Sequence, residues 1–375
     1  MPQVQCGFAA DPGAQDVLSP TWSGSRSSSH HTAVSLFAGC GGLDLGFAGG
    51  FRYLGQRYEP LPFDIVAAID NSEDAIKTYR LNLGHHARVA DLTTLDVNDI
   101  ARADVLLGGF PCQDFSSSGP KSGLAGKRGQ LYTVLVDYMS AHQPKVVIGE
   151  NVPHLSRLEG GIYLKTILAD LEAVGYKFEV WDLYGPDYGL PQSRRRLFLV
   201  GIRNDLDGFP SKPRPTHAAG HVSVDAAICD LETVGDESVP NQSQFYVATR
   251  ATAGGGQGDH TNQRGTVAYC IRANARGRIQ FHYSLPRRLT VRECARLQAF
   301  PDSFVFPFST QRNLTLIGNA VPPLLGFWVG SSIREFLEMT TARQSDADDA
   351  AKNNLVPPLY SRTSREQLKL FDRAN

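Results

Sequence analysis

Ala33-Val34-Ser35-Leu36-Phe37-Ala38-Gly39-Cys40-Gly41-Gly42 is a short apolar run that empties into glycines. Such a run predicts a buried strand entering a Gly-rich turn. The same pattern recurs downstream. Ile65 to Ile69 ends at Asp70, and Val105-Leu106-Leu107 ends at Gly108-Gly109-Phe110-Pro111-Cys112. Val146-Val147-Ile148 ends at Gly149-Glu150, and further strands are expected at Phe178 to Leu183 and Arg196 to Ile202. Helical spacing fills the gaps at Asp74 to Leu83, Leu131 to Ser140 and Ile162 to Val174. Short apolar strands alternating with helices predict an α/β fold with a doubly wound, mostly parallel sheet.

The alternation stops near Arg203. Residues 204–285 are rich in Gly, Pro, Ser, Thr and Asn, and read as a smaller, irregular, β-rich domain. Helical signals return at Thr290 to Ala299, where Thr290 and Glu293 fit a capping box, and at Leu324 to Met339. The expected domain map is a flexible leader at 1–31, a catalytic domain at 32–203, the irregular domain at 204–285, helices rejoining the catalytic domain at 286–339, and a polar tail at 340–375. A short amphipathic piece is expected within that tail at Glu366 to Phe371.

The 375 residues carry 37 Lys plus Arg against 38 Asp plus Glu, a formal net charge of −1, with 42% hydrophobic and 20% charged residues. This composition excludes a wholly disordered chain, a collagen-like repeat and a heptad rod. No two of the six cysteines have CxxC spacing, so neither a disulfide framework nor a metal site is expected. No secretory signal is visible, and the setting expected is a reducing cytoplasm. The uncharged stretch Asn313 to Ile333 holds Gly318-Asn319 and Pro322-Pro323, which read as a buried turn rather than a membrane span.

In parallel sheets ligands sit beyond the carboxyl ends of the strands. Glycines 39, 41 and 42 there let the backbone approach a ligand, or serve only as a structural turn. Asp70 is placed to accept from ribose hydroxyls, or to cap the next helix. Asp91 could meet an adenine amino group. Cys112 follows Pro111 in a tight strand-end loop, a setting for an activated thiolate. Residues 116–130, with four glycines and three cations, read as a mobile lid or as an ordinary solvated loop. Glu150 at a strand end has a desolvated carboxyl able to donate a proton near neutrality. Alternation puts Gln192, Arg194 and Arg196 on one face. An arginine there could pair with Glu150, hold a substrate oxygen, or belong to a surface basic cluster.

These segments together resemble the DNA cytosine-5 methyltransferases of the bacterial restriction–modification type. The resemblance runs from about Val34 to Arg203 and from Arg287 to Gly330. It rests on Phe37-Ala38-Gly39-Cys40-Gly41-Gly42, Gly109-Phe110-Pro111-Cys112-Gln113, Glu150-Asn151-Val152 and Gln192-Ser193-Arg194-Arg195-Arg196. It continues through Arg288-Leu289-Thr290 with Glu293, Arg296-Leu297-Gln298, Phe300-Pro301 and Gly318-Asn319-Ala320-Val321-Pro322. The resemblance implies the S-adenosylmethionine-dependent methyltransferase fold. It implies that cofactor against Phe37, Ala38, Gly39, Cys40, Gly42, Asp70, Asn71, Asp91, Leu92, Pro111, Leu131, Asn319 and Ala320. Cys112 would add to carbon 6 of cytosine while Glu150 protonates ring nitrogen 3, and Arg194 would hold the carbonyl oxygen and orient Glu150. Gln113, Ser116, Ser118, Gln192, Arg196 and Arg288 would touch the substrate, a cytosine flipped out of the duplex. Residues 204–285 become the target-recognition domain.

The implied partners are double-stranded DNA and a cognate restriction endonuclease, with a monomeric protein and no membrane. Residues 264–296 hold eight arginines against one acid, Glu293, which supports a nucleic-acid face. Two other readings are a tRNA methyltransferase of the same fold and a silent DNA-binding regulator. Intact Cys112, Glu150 and Arg194 speak against the regulator. Ser35 departs from the resemblance, standing where many relatives carry an acid.

Overall fold

The computed structural model describes residues 30–111, 131–232, 259–273 and 279–353. The chain opens with β1 (His31–Leu36), α1 (Gly42–Ala48) and a hairpin of β2 (Phe51–Tyr53) and β3 (Gln56–Tyr58). It continues as β4 (Phe63–Asp70), α2 (Glu73–Leu83), β5 (Ala87–Val89), β6 (Val105–Gly108), α3 (Thr133–His142) and β7 (Val146–Asn151). Then come α4 (Ile162–Ala173), β8 (Tyr176–Tyr184) and β9 (Arg195–Arg203).

Seven of these strands form one sheet in the order β5-β4-β1-β6-β7-β9-β8. Neighbours are parallel from β5 to β7, and β9 runs antiparallel to both β7 and β8. The doubly wound, mostly parallel sheet expected from the alternation is therefore present. Its central strands are apolar on both faces because helices cover both: Leu106 and Val147 are fully buried on one face, Val105, Leu107, Val146 and Ile148 on the other. One layer packs them against α3 and α4 through Leu135, Tyr138, Met139, Ile167 and Leu171.

Beyond β9 lie α5 (Val224–Ile228), the two-residue strands β10 (His260–Thr261) and β11 (Gln280–Phe281), α6 (Val291–Leu297), α7 (Thr310–Asn319) and α8 (Pro323–Asn353). The described residues of 204–285 do not keep a core of their own. Val224, Ile228, Ala268 and Ile271 share one apolar cluster with Leu45 of α1 and with Leu297, Phe300 and Leu316.

Two boundaries differ from the sequence reading. Strand β1 begins at His31, which pairs with Phe63 and is buried, so the expected leader overlaps the sheet by one residue. Helix α8 runs past Met339 to Asn353, because Thr340 to Asn353 holds several alanines and neither Gly nor Pro to stop it. Glu366 to Phe371 lies outside the described residues. Residues Thr310–Arg343 are long and apolar enough to cross a membrane, but their most apolar window is 72% buried within the protein. The helical path also breaks between Asn319 and Pro323, at the turn expected there.

Candidate active site and cofactor cleft

The turn after β1 is conformationally unusual. Phe37 has φ 58°, Gly39 φ 56° and Gly41 φ 89°. A left-handed phenylalanine is strained and persists only where its surroundings hold it. A Cβ on Gly42 would run into the Val321 carbonyl, so that glycine serves close packing, whereas one on Gly39 would meet nothing within 4 Å. Gly39 therefore faces open space. Its N–H donates to the Asp70 carboxylate (2.9 Å), which also accepts from Ser72 N (2.8 Å). Asp70 is not the cap of α2; Ser72 is, accepting from Ala75 N. Burial raises the Asp70 pKa, and the two N–H groups oppose that shift.

A cleft of about 790 Å³ opens over this turn, a size suited to a nucleoside-bearing ligand. Every residue assigned to the cofactor by resemblance, from Phe37 to Ala320, lines it. Asp91 is exposed at its rim and accepts from Thr93 N (2.9 Å), and Leu92 beside it is buried. The Cys40 thiol is buried and pushed up to about 12, so it stays protonated. The sequence reading missed Asp44, Asp74 and Arg312, which also line the cleft. Asp74 on α2 and Arg312 on α7 form an ion pair, a contact between elements far apart in sequence.

Ser35, where the chain departs from the resemblance, is bonded to Asp44. The Asp44 carboxylate accepts from Ser35 Oγ (2.7 Å) and Tyr79 Oη (2.8 Å), so an acid from α1 reaches the end of β1. Complete burial raises its pKa to about 6.

Strands β7 and β9 assemble the acid–base part. Glu150 and Phe198 are cross-strand partners, which sets Arg196, two residues before Phe198, on the same face as Glu150. Arg196 Nε meets Glu150 Oε1 at 2.8 Å, both side chains being 12% exposed, and both line the cleft. Burial raises the Glu150 pKa, while Arg196 and, less strongly, Arg194 pull it back. Asn151, next along β7, donates to the Phe110 carbonyl (3.0 Å) and so fixes the strand-end loop that leads to Pro111. Pro111 lines the cleft; Cys112, Gln113, Ser116, Ser118 and the whole of 116–130 lie outside the described residues.

Two expectations are corrected here. Arg194 does not orient Glu150. It is 1% exposed, and its Nη atoms donate to the carbonyls of Ile271 (2.8 Å), Gly318 (3.0 Å) and Ala320 (2.8 Å). Burial draws it down to about 10, so it remains charged at neutral pH. Gln192 cannot touch substrate either: fully buried, it donates to Leu297 O (2.7 Å) and accepts from Ile271 N (2.9 Å). Strand β9 begins only at Arg195, so the alternation inferred for the three residues does not extend back to Gln192 and Arg194. Arg288 is half-buried and is not among the residues lining the cleft.

The arginine-rich stretch is also less of a surface than its composition implies. Arg287 makes a bidentate pair with Glu293 (2.7 and 2.8 Å), and Arg292 donates to Pro301 O and Phe304 O. Arg296 pairs with Asp230 and Asp302 at 2.5 Å. All three are buried. Of the others, Arg264 is half exposed, Arg272 is exposed, and Arg276 and Arg278 lie outside the described residues.

Comparison with known proteins fits this geometry. Residues 31–249 and 237–335 match the family described as C-5 cytosine-specific DNA methylase. The chain belongs to that family. This methylase is 32% identical to Type II methyltransferase M.NgoFVII of Neisseria gonorrhoeae, over 82% of this chain and 87% of the relative. It is 34% identical to Type II methyltransferase M.NlaX of Neisseria lactamica, over 77% and 91%. A putative DNA modification methyltransferase encoded within an E. coli prophage shares the methylase's fold. Its TM-score is 0.65 at 21% identity, over 82% of this chain and 99% of that one.

Proposed function

We propose that this cytosine-5 DNA methyltransferase uses S-adenosylmethionine and acts on a cytosine flipped out of duplex DNA, through a covalent bond between Cys112 Sγ and carbon 6. The observation carrying this reading is the Glu150–Arg196 pair on one wall of the cleft that gathers the cofactor residues. The cofactor fits the residues present. Gly39 leaves backbone room, and the carboxylates of Asp70 and Asp91 border the space, complementary to a ligand bearing a sulfonium and an ammonium; Asp74 there is paired with Arg312. When bound, the cofactor supplies the methyl group.

Cytosine carbon 5 is a weak nucleophile. Addition of the Cys112 thiolate to carbon 6, with protonation of ring nitrogen 3 by Glu150, turns it into an enamine carbon that can take the methyl group. A base then removes the carbon 5 proton, the Cys112–carbon 6 bond breaks so that the thiolate leaves, and ring nitrogen 3 returns its proton to Glu150. Arg196 takes the place first given to Arg194, holding Glu150 in position and presenting a cation toward the cytosine carbonyl oxygen. Residues 204–285 are proposed to read the flanking bases, and a cognate endonuclease cutting the same sequence is the partner this reading expects.

The test follows transfer of a labelled methyl group from S-adenosylmethionine to mixed-sequence duplex DNA and, separately, to tRNA. Bisulfite sequencing maps the product. Label at one recurring cytosine context in DNA is the expected result. Label confined to tRNA would reassign 204–285, and label in neither would overturn the proposal.

A further inference from the structure

Arg194 stands beside the cleft as a buried charge whose Nη donors all face inward. Nη1 donates to Ile271 O (2.8 Å), within the segment proposed to read DNA. Nη2 donates to Gly318 O (3.0 Å) in the last turn of α7 and to Ala320 O (2.8 Å) just beyond it, and both residues wall the cofactor cleft. One planar guanidinium thus spans two segments that would bind different ligands.

The contact around it is tight. A Cβ on Gly318 would run into the backbone of Arg272 and Ala273. Thr315 Oγ1 donates to Ala273 O (3.1 Å). Gln298 Nε2 donates to Ala320 O (2.6 Å), and Gln192 joins Ile271 N to the end of α6. Close-packed backbones with their hydrogen bonds filled move together rather than deform separately. A ligand that shifts the turn at 318–320 must therefore shift residues 271–273.

We propose that Arg194 is a positioning residue that couples occupancy of the cofactor cleft to the DNA affinity of the recognition segment. This rests on the function proposed above. Coupling is reciprocal, so cofactor tightens DNA and DNA tightens cofactor by one common factor, on the order of 5–150-fold for couplings of this kind.

The experiment uses the full-length protein, S-adenosylhomocysteine as a non-reactive cleft ligand, and a duplex carrying the mapped cytosine context. The duplex Kd is measured with and without S-adenosylhomocysteine, and the S-adenosylhomocysteine Kd with and without duplex. Wild type is expected to show the coupling factor in both directions. Arg194→Met is expected to bring that factor toward 1 while each ligand alone still binds. A purely structural role would weaken both affinities and leave their ratio unchanged; an unchanged ratio, or a wild-type factor of 1, overturns the link. If Arg194→Met does not fold, Arg194→Lys keeps the charge without the fork, and the same criterion applies to its factor. A wild-type protein that binds neither ligand overturns the proposed function, and the link with it.

Discussion

In the proposed mechanism Glu150 must hold a proton although Arg196 pairs with it and Arg194 acts on it from a distance. Burial raises its pKa and the arginines lower it, so the balance is set by its partner at 2.8 Å, Arg196. A proton donor works only while protonated, so turnover falls as pH rises through the Glu150 pKa. Arg196→Ala removes the nearest cation and raises that pKa further. The alkaline limb of the kcat profile should move to higher pH even as the rate drops, and a fixed limb would separate the two residues functionally. Glu150→Gln should lower kcat by about 10²–10⁴-fold, with duplex affinity little changed in a filter-binding assay. Cys112→Ala should end methyl transfer while S-adenosylhomocysteine still binds by calorimetry; turnover in that variant would remove the nucleophile assignment. Asp44 gives a stability signature instead. Its pKa rises from 3.8 to about 6 on folding, so the native state holds the extra proton in that window. The stability Asp44 contributes is therefore greatest below that window and declines as pH rises toward 6. Asp44→Asn should flatten the melting temperature over that interval.

The turn from β11 into α6 concentrates buried charge. Thr290 and Glu293 form the capping box expected from the sequence, and Glu293 also takes the Arg287 fork. His282 beside it, with its pKa lowered to about 3 by burial and by Arg287, stays neutral. Glu293→Gln leaves the Arg287 charge without its counter-charge and should cost about 3–5 kcal/mol in urea unfolding, whereas Thr290→Ala should cost about 1 kcal/mol. Elements such as α2, β7 and this cap were legible because each follows from local spacing and capping chemistry. Strand ends likewise announced Asp70 and Glu150. What stayed hidden depends on register and on distant partners. The pairing of β7 with β9, not the QxRxR spacing, decides that Arg196 meets Glu150. Arg194 points to carbonyls at 271, 318 and 320, which local periodicity does not encode. Arg292 and Arg296 look like a basic face in the sequence because their carbonyls and acids lie outside the stretch 264–296, while Arg287 takes the one acid within it, Glu293.

At the scale of the whole chain, a net charge of −1 means that DNA attraction must come from where cations are placed. The burial of three arginines leaves fewer for that purpose than the sequence promised. His31, the first residue of β1, is buried and paired to Phe63. Deleting residues 1–29 should leave methyl transfer and melting temperature unchanged, while a deletion reaching Ala33 should destabilise the sheet, as read by thermal melting. The stretch 233–258 joins the fold at two points on one short strand region. Glu232 is held by Tyr283 and by Ser284 Oγ (3.3 Å), and Asp259 by Ile279 N (2.7 Å). Both ends of that stretch are thus clamped to the same few residues around β11. Glu232 and Asp259 thus share one footing, and a substitution that displaces β11 should loosen both anchors at once.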